Sequence, residues 1–243
     1  MSWIVPNADE AAFLLDFDGT LVDIAAAPEL VEVAPGLVDT LLALRARVGD
    51  ALALVSGRPI AELDHFLPDV AYAVAGEHGT ALRHAPGAAV EHADLPAVPS
   101  AWARRAEQLA QAYPGVRIET KAAGLVLHYR AAPDAGETLR QEAEAMVAEA
   151  GKGFHVQASK LAWEIRPKGI DKGSAVRLLM ARPPFVGRKP VFVGDDVTDE
   201  DGIRAAVALG GVGYRIPADF EQPAAVRAWL GQLARGEAGA WAA

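Results

Sequence analysis

Leu14-Leu15-Asp16-Phe17-Asp18-Gly19-Thr20-Leu21 sets two carboxylates where an apolar run, residues 11–17, gives way to a glycine turn. Side chains two apart on a strand point to the same side, so Asp16 and Asp18 are expected a few ångströms from one another. Like charges that close raise one pKa unless a cation neutralises them, and Mg2+, a hard ion that prefers oxygen donors, suits carboxylates. By itself the pair also reads as a turn former or a helix cap. A second acidic segment, Val191-Phe192-Val193-Gly194-Asp195-Asp196-Val197-Thr198-Asp199-Glu200, again follows an apolar strand. Ligands of open α/β sheets gather at the carboxyl ends of strands, so the two segments can converge on one site; alone, the second reads equally well as acids favouring a helix N-terminus. A third piece, Leu54-Val55-Ser56-Gly57-Arg58-Pro59, combines a hydroxyl with backbone N–H groups at a strand-to-helix turn, a cradle for phosphate. The fourth is Lys172 in Lys168-Gly169-Ile170-Asp171-Lys172-Gly173, a cation entering a helix where a phosphate or the carboxylates would need it.

Working outward, residues 11–17, 51–55, 70–75, 190–194 and 211–214 are brief runs apolar on both faces and read as buried parallel strands. Helical patterns over residues 35–48, 59–66, 172–180, 199–209 and 222–233 lie between them, with Pro35 and Pro59 suited to first-turn positions. From about Arg83 to Arg166 the texture changes to period-two alternation, as in an antiparallel sheet with one covered face, separated by helical stretches at 100–113 and 134–150. The reading is an α/β protein: a core of residues 1–82 and 167–243 with a mostly parallel sheet, interrupted by a smaller α/β unit, residues 83–166. Residues 76–79 and 167–173 look like the crossings. Within the insertion, Arg117, Glu119 and Lys121 share one strand face, as do Val126, His128 and Arg130 on the next strand and Ala162, Glu164 and Arg166 on a third. Three strands thus offer a mixed-charge face that could hydrogen-bond a hydroxyl-rich ligand or simply be the solvated side of the sheet.

Asp-Phe-Asp-Gly-Thr-Leu, then Ser-Gly-Arg, then Lys-Gly, then Gly-Asp-Asp-x-Thr-Asp-Glu, in that order, resembles the four-motif set of the haloacid dehalogenase superfamily. Gly76-Glu77-His78-Gly79, Glu119-x-Lys121 followed by His128-Tyr129-Arg130, and Glu164-x-Arg166 leading to Lys172-Gly173 are similar, more narrowly, to the trehalose-6-phosphate phosphatase family. The similarity runs from about Phe13 to Tyr214. It implies a HAD-like Rossmannoid core with a cap domain that sets substrate specificity, and hydrolysis of a sugar phosphate through an aspartyl-phosphate. Asp16 would be the nucleophile and Asp18 the general acid and base. Mg2+ would be held by the Asp16 carboxylate, the Asp18 carbonyl and Asp195, with Asp196 and Asp199 directing its waters. Ser56, the Gly57 N–H and Lys172 would bind phosphoryl oxygens. Glucose recognition would fall to Glu119, Lys121 and Glu164, with Arg58, His78, His128 and Arg130 as further substrate contacts; Arg58 alone could instead pair with a neighbouring acid. A phosphatase for another sugar phosphate (sucrose phosphate, mannosyl-phosphoglycerate), a phosphohexomutase and a non-catalytic sensor are the rival readings.

Composition narrows the field. Of 243 residues, 23 are Lys or Arg and 32 are Asp or Glu, a net charge of −9 without any basic run, which argues against nucleic-acid or anionic-membrane partners. The absence of cysteine excludes thiol catalysis and thiolate zinc sites. The six histidines form no His-x-x-x-His pair. No apolar stretch reaches the roughly 18 residues of a membrane span, and the start has no apolar leader. A soluble, cytoplasmic, monomeric protein acting on a small molecule is expected. Trp163 is expected in the core.

Overall fold

The computed structural model describes residues 5–121, 124–237 and 241. Trp3 lies outside them. Two compact units emerge, one of residues 1–93 and 170–243, the other of residues 94–169.

In chain order the first unit has β1 (Ala11–Leu15), α1 (Leu37–Arg47), β2 (Leu52–Val55), α2 (Ile60–Phe66), β3 (Ala73–Gly76), β4 (Ala81–Arg83) and β5 (Glu91–His92). The second has α3 (Ser100–Ala112), β6 (Arg117–Lys121), β7 (Gly124–His128), α4 (Gly136–Ala150), β8 (Phe154–Ser159) and β9 (Ala162–Pro167). The chain then returns to the first unit with α5 (Lys172–Met180), β10 (Lys189–Gly194), α6 (Asp199–Ala208), β11 (Val212–Arg215) and α7 (Pro223–Arg235).

The first unit is built on a seven-stranded sheet ordered β11-β10-β1-β2-β3-β4-β5. Its first five strands are parallel, and β1, β2 and β3 are buried throughout, as their unbroken apolar runs require. From β1 the chain steps through α1 to β2, whereas from β10 it steps through α6 to β11, in the opposite direction across the sheet. Right-handed crossovers then place α1 and α6 on opposite faces, and the switch falls between β1 and β10. Leu15 of β1 lies beside Val193 of β10 and Leu54 of β2, so Asp16, Asp195 and Ser56 all emerge just past the carboxyl ends of three adjacent strands.

Some boundaries differ from the sequence reading. Strand β4 pairs antiparallel with β3 and β5 antiparallel with β4, so the core sheet reaches to His92, and the turn at 76–79 joins two strands of one sheet rather than two units. The short alternating runs there carry the period of a one-faced antiparallel edge, which looks alike in either unit. Pro59 is the N-cap of α2 and Gly36, left-handed at φ 78°, precedes α1, so neither Pro35 nor Pro59 occupies a first turn.

The second unit is a four-stranded antiparallel sheet ordered β6-β7-β9-β8. Its own core holds Trp102, Leu109, Leu125, Leu127, Leu139, Met146, Phe154 and Ile165. Trp163 packs at the edge of this core with its indole N–H donating to the Gly136 carbonyl at 2.8 Å.

Phe192, fully buried in β10, anchors the strand that carries Asp195. Phe192→Ala should lower unfolding free energy by about 3–5 kcal/mol in urea titration, since the ring leaves a cavity that a central parallel strand cannot collapse; a loss below about 1 kcal/mol would contradict this packing role.

Candidate active site

Local chemistry explains how each strand end presents its group. Lys172 is the first residue of α5, placed there by a reciprocal cap: Asp171 Oδ1 accepts from the Ser174 N–H at 2.7 Å while Ser174 Oγ accepts from the Asp171 N–H at 3.0 Å. An ammonium at a helix N-terminus opposes the helix dipole, so it needs anionic partners. It has two. Lys172 Nζ donates to Asp16 Oδ1 at 2.7 Å and to Asp199 Oδ1 at 2.6 Å, and the three groups are only 3%, 3% and 1% exposed. Asp199 opens α6, and its Oδ2 accepts from the N–H groups of Asp195 (3.2 Å) and Asp196 (3.0 Å), folding the acidic loop around itself. Asp16 Oδ2 accepts from the buried hydroxyl of Thr20 at 3.2 Å.

Gly19 turns left-handed at φ 74°, and a Cβ there would lie 2.2 Å from Asp195 Oδ2. Only glycine lets the turn after β1 approach the Asp195 loop so closely. Asp16, Asp195 and Asp199 each place a carboxylate oxygen within 4.8 Å of the others. The donor set is all oxygen, which fits a hard divalent cation. Burial, then the neighbouring Asp199, pushes the Asp16 pKa up to about 7 against the opposing pull of Lys172. Burial, then Asp16 and Asp196, pushes Asp195 up to about 7 as well, and burial raises Asp199. Burial lowers the Lys172 pKa, but Asp16 and Asp199 outweigh it and hold it above the ordinary lysine value. The site is thus a pocket of excess negative charge with one built-in cation.

Asp18 does not share that pocket's neutralisation. Past β1 the chain no longer follows strand geometry, and Asp18, its side chain 40% exposed, meets Arg58, whose Nε donates to Asp18 Oδ2 at 2.6 Å and whose second amino group donates to Oδ1 at 2.8 Å. Each aspartate of the pair has its own cation. Arg58 also donates to Glu62 at 3.1 Å and lies over the rings of Phe17 and Phe66. Ser56 is buried; its Oγ accepts from the Arg58 N–H at 3.2 Å, and its carbonyl from the His78 N–H at 3.0 Å. Glu77 and His78 are both left-handed, at φ 51° and 57°, and the His78 ring covers Gly57: a Cβ on Gly57 would lie 2.6 Å from its Cε1. Asp196 is exposed, its Oδ1 accepting from the Val197 N–H at 2.6 Å.

In the second unit, Glu119 accepts from Lys121 and contacts His128 Nε2 at 3.0 Å; Lys121, against the burial penalty and with help from His128, holds its carboxyl below the usual range. Glu164 lies 3.7 Å from the buried Arg166, which donates to Gln157 at 3.1 Å. Arg130 stands apart: β7 ends at His128, and Arg130 sits exposed in the following turn, where period two no longer assigns a face. Thr20 and the Lys172–Asp199 pair carried no role in the sequence reading. An acid at the first position of a helix reads as ordinary capping there, and a threonine after Gly19 as part of the turn.

The core matches solved structures. The C-terminal domain of a trehalose-6-phosphate phosphatase from C. albicans superposes with a TM-score of 0.75 at 24% identity, covering 93% of this chain and 92% of that one. The fold is also shared with a haloacid dehalogenase-like hydrolase from Bacteroides thetaiotaomicron, at a TM-score of 0.61 and 16% identity, covering 92% of this chain and 99% of that one. Sequence comparison is sharper: residues 14–218 match the trehalose-phosphatase family model. The chain is 38% identical over 226 residues to a probable trehalose-phosphate phosphatase of Sinorhizobium fredii, covering 89% of this chain and 81% of that one. It is 35% identical over 209 residues to trehalose-6-phosphate phosphatase of Escherichia coli, covering 84% and 77%. The chain belongs to the trehalose-phosphatase family, a group of phosphoric monoester hydrolases. Among the described residues no helix is long and apolar enough to cross a membrane.

The raised carboxylates make the stability of the metal-free protein depend on pH. Asp195 binds its proton more tightly folded than unfolded, so its stabilising contribution is full below its unfolded value of 3.8 and is lost as pH rises through about 7. In thermal scans, Asp195→Asn should gain stability relative to the parent as pH rises between 3.8 and about 7. A gain that shrinks with rising pH would contradict the account. A divalent cation should raise the melting temperature of the parent and leave Asp195→Asn nearly unmoved.

Proposed function

We propose that this chain is a Mg2+-dependent phosphatase that hydrolyses trehalose 6-phosphate to trehalose and inorganic phosphate, serving trehalose biosynthesis. The observation that carries the reading is the buried Lys172 held between Asp16 and Asp199 in a chain of the trehalose-phosphatase family. A cytoplasmic, monomeric enzyme is the setting we propose, in keeping with the acidic, cysteine-free composition. Residues 1–82 and 167–243 are proposed as the catalytic core, extended by the paired strands up to residue 93, and the rest of 83–166 as the cap that selects the substrate.

Asp16 attacks phosphorus: its carboxylate oxygen forms a bond to P as the P–O bond to the sugar breaks, and Asp18 gives a proton to the departing sugar oxygen. In the second half a water oxygen attacks the phosphoryl-Asp16, Asp18 takes the water's proton, and the P–O bond to Asp16 breaks, restoring its carboxylate and releasing phosphate. Lys172 has three N–H donors and spends two on Asp16 and Asp199, which leaves one for a phosphoryl oxygen. The Ser56 hydroxyl and the Gly57 N–H complete the cradle, with His78 shaping it from above. Asp16, the Asp18 carbonyl and Asp195 would hold Mg2+, with Asp196 and Asp199 directing its waters, and the ion would supply charge neutralisation to the phosphoryl group. Asp199 acts chiefly by fixing the lysine and the Asp195 loop, since both of its oxygens already accept hydrogen bonds. Glu119, Lys121, His128 and Glu164 are proposed to bind sugar hydroxyls. The Glu119–Lys121–His128 cluster supports this, because it is already assembled and polar. Arg130, beyond the strand, is the weaker member of that set.

A panel of sugar phosphates, with and without Mg2+, tests the proposal: trehalose 6-phosphate should be turned over fastest, and chelation should abolish the rate. Equal or better rates on sucrose phosphate or mannosyl-phosphoglycerate would replace the substrate, and isomerisation of a phosphohexose without phosphate release would replace the reaction class. Glu119→Ala or Lys121→Ala should cut kcat/KM for trehalose 6-phosphate by about 10- to 100-fold while p-nitrophenyl phosphate turnover changes little. Equal losses on both would assign these residues to the fold.

A further inference from the structure

Arg58 is unusually constrained for a site arginine. Its guanidinium is braced by Glu62 at 3.1 Å and lies 5.5 Å from the Phe17 and 5.2 Å from the Phe66 ring centroids, so its position is fixed before any ligand arrives. Its backbone is fixed too: its N–H donates to Ser56 Oγ at 3.2 Å and its carbonyl accepts from the Glu77 N–H at 3.0 Å. From this anchor it takes both oxygens of Asp18, at 2.6 and 2.8 Å, in a fork that only arginine can form. Asp18 itself lies beyond β1 and just before the left-handed Gly19, in an isolated bridge with Val22 that holds its backbone and leaves its carboxylate to the fork. The planar fork therefore sets both the place and the orientation of the Asp18 carboxylate. Two of its roughly four lone-pair sites remain open, enough to accept a proton from a water while the fork stays closed.

We infer that Arg58 is the positioning residue that holds Asp18 as the base of the second half-reaction, rather than a residue that binds the sugar. The inference rests on the proposed role of Asp18. Water attacks phosphoryl-Asp16, its proton passes to an open lone pair of Asp18, and the Asp16–P bond breaks to give carboxylate and phosphate. Arg58 forms no bond to the reacting atoms and acts through the carboxylate it orients. Without it Asp18 is free to rotate, and breakdown of the phosphoryl-enzyme suffers more than its formation from an ester whose leaving group needs no proton.

Rapid-quench trapping with 2,4-dinitrophenyl phosphate and Mg2+ separates the two halves. In Arg58→Met, breakdown of the phosphoryl-enzyme should slow by roughly 10- to 100-fold while its formation stays within about threefold of the parent, the span expected for a displaced general base. Phosphoryl-enzyme then accumulates. Arg58→Lys, which keeps the charge but not the fork, should fall between the two, and Glu62→Gln, which loosens the brace, should show a smaller loss in the same step. Misfolding would reduce the trapped amount without changing the ratio of the two rates, so it cannot imitate the result. If Asp18→Asn slows breakdown and Arg58→Met does not, the positioning role is overturned. If Asp18→Asn leaves breakdown unchanged, the role of Asp18 as base fails and the inference about Arg58 fails with it.

Discussion

One ammonium group organises the core of this protein. Lys172 reaches from the first turn of α5 into a space between Asp16 and Asp199 that is almost closed to water. Taking three charges out of water is costly, and removing the lysine would leave two buried carboxylates uncompensated. The arrangement survives because its geometry is over-determined. The Asp171–Ser174 cap starts the helix at Lys172, the parallel strands deliver Asp16 and the acidic loop side by side, and two backbone N–H groups hold the far oxygen of Asp199. Burial and neighbouring carboxylates push the pKa of both Asp16 and Asp195 up to about 7, as expected of a site that has room for one more cation.

A second balance of charge lies beside the first. Asp18, separated from Asp16 by one residue, is satisfied by Arg58 instead of sharing Lys172. The intervening Phe17 is buried and forms part of the surface beneath the guanidinium. Asp-Phe-Asp thus divides two carboxylates, one buried and one partly exposed, between two cations, which suits the two different roles proposed for them.

Much of this architecture is legible in the sequence, for reasons that are local. Parallel strands covered on both faces must be continuously apolar, so β1, β2, β3 and β10 announce themselves, and the acids, hydroxyl and lysine that follow them are conspicuous against that background. What escapes is pairing across distance. Arg58 and Asp18 lie 40 residues apart, Lys172 and Asp16 lie 156 apart, and nothing in spacing or periodicity says which arginine serves which acid. Residues 83–93 are equally opaque, because a short antiparallel edge has the same alternation whichever sheet it joins. Arg130 shows the converse limit: the alternation that groups Glu119, His128 and Glu164 cannot be extended past the end of β7.

As the proposed nucleophile, Asp16 becomes phosphorylated during turnover. Borohydride reduction of the enzyme mixed with trehalose 6-phosphate and Mg2+, followed by peptide mass mapping, tests it directly, because an acyl phosphate is reduced where a free carboxylate is not. Reduction is expected at position 16 and nowhere else, dependent on both substrate and metal. Substrate consumed without any reduction at position 16, or reduction at another carboxylate such as Asp195, would contradict it.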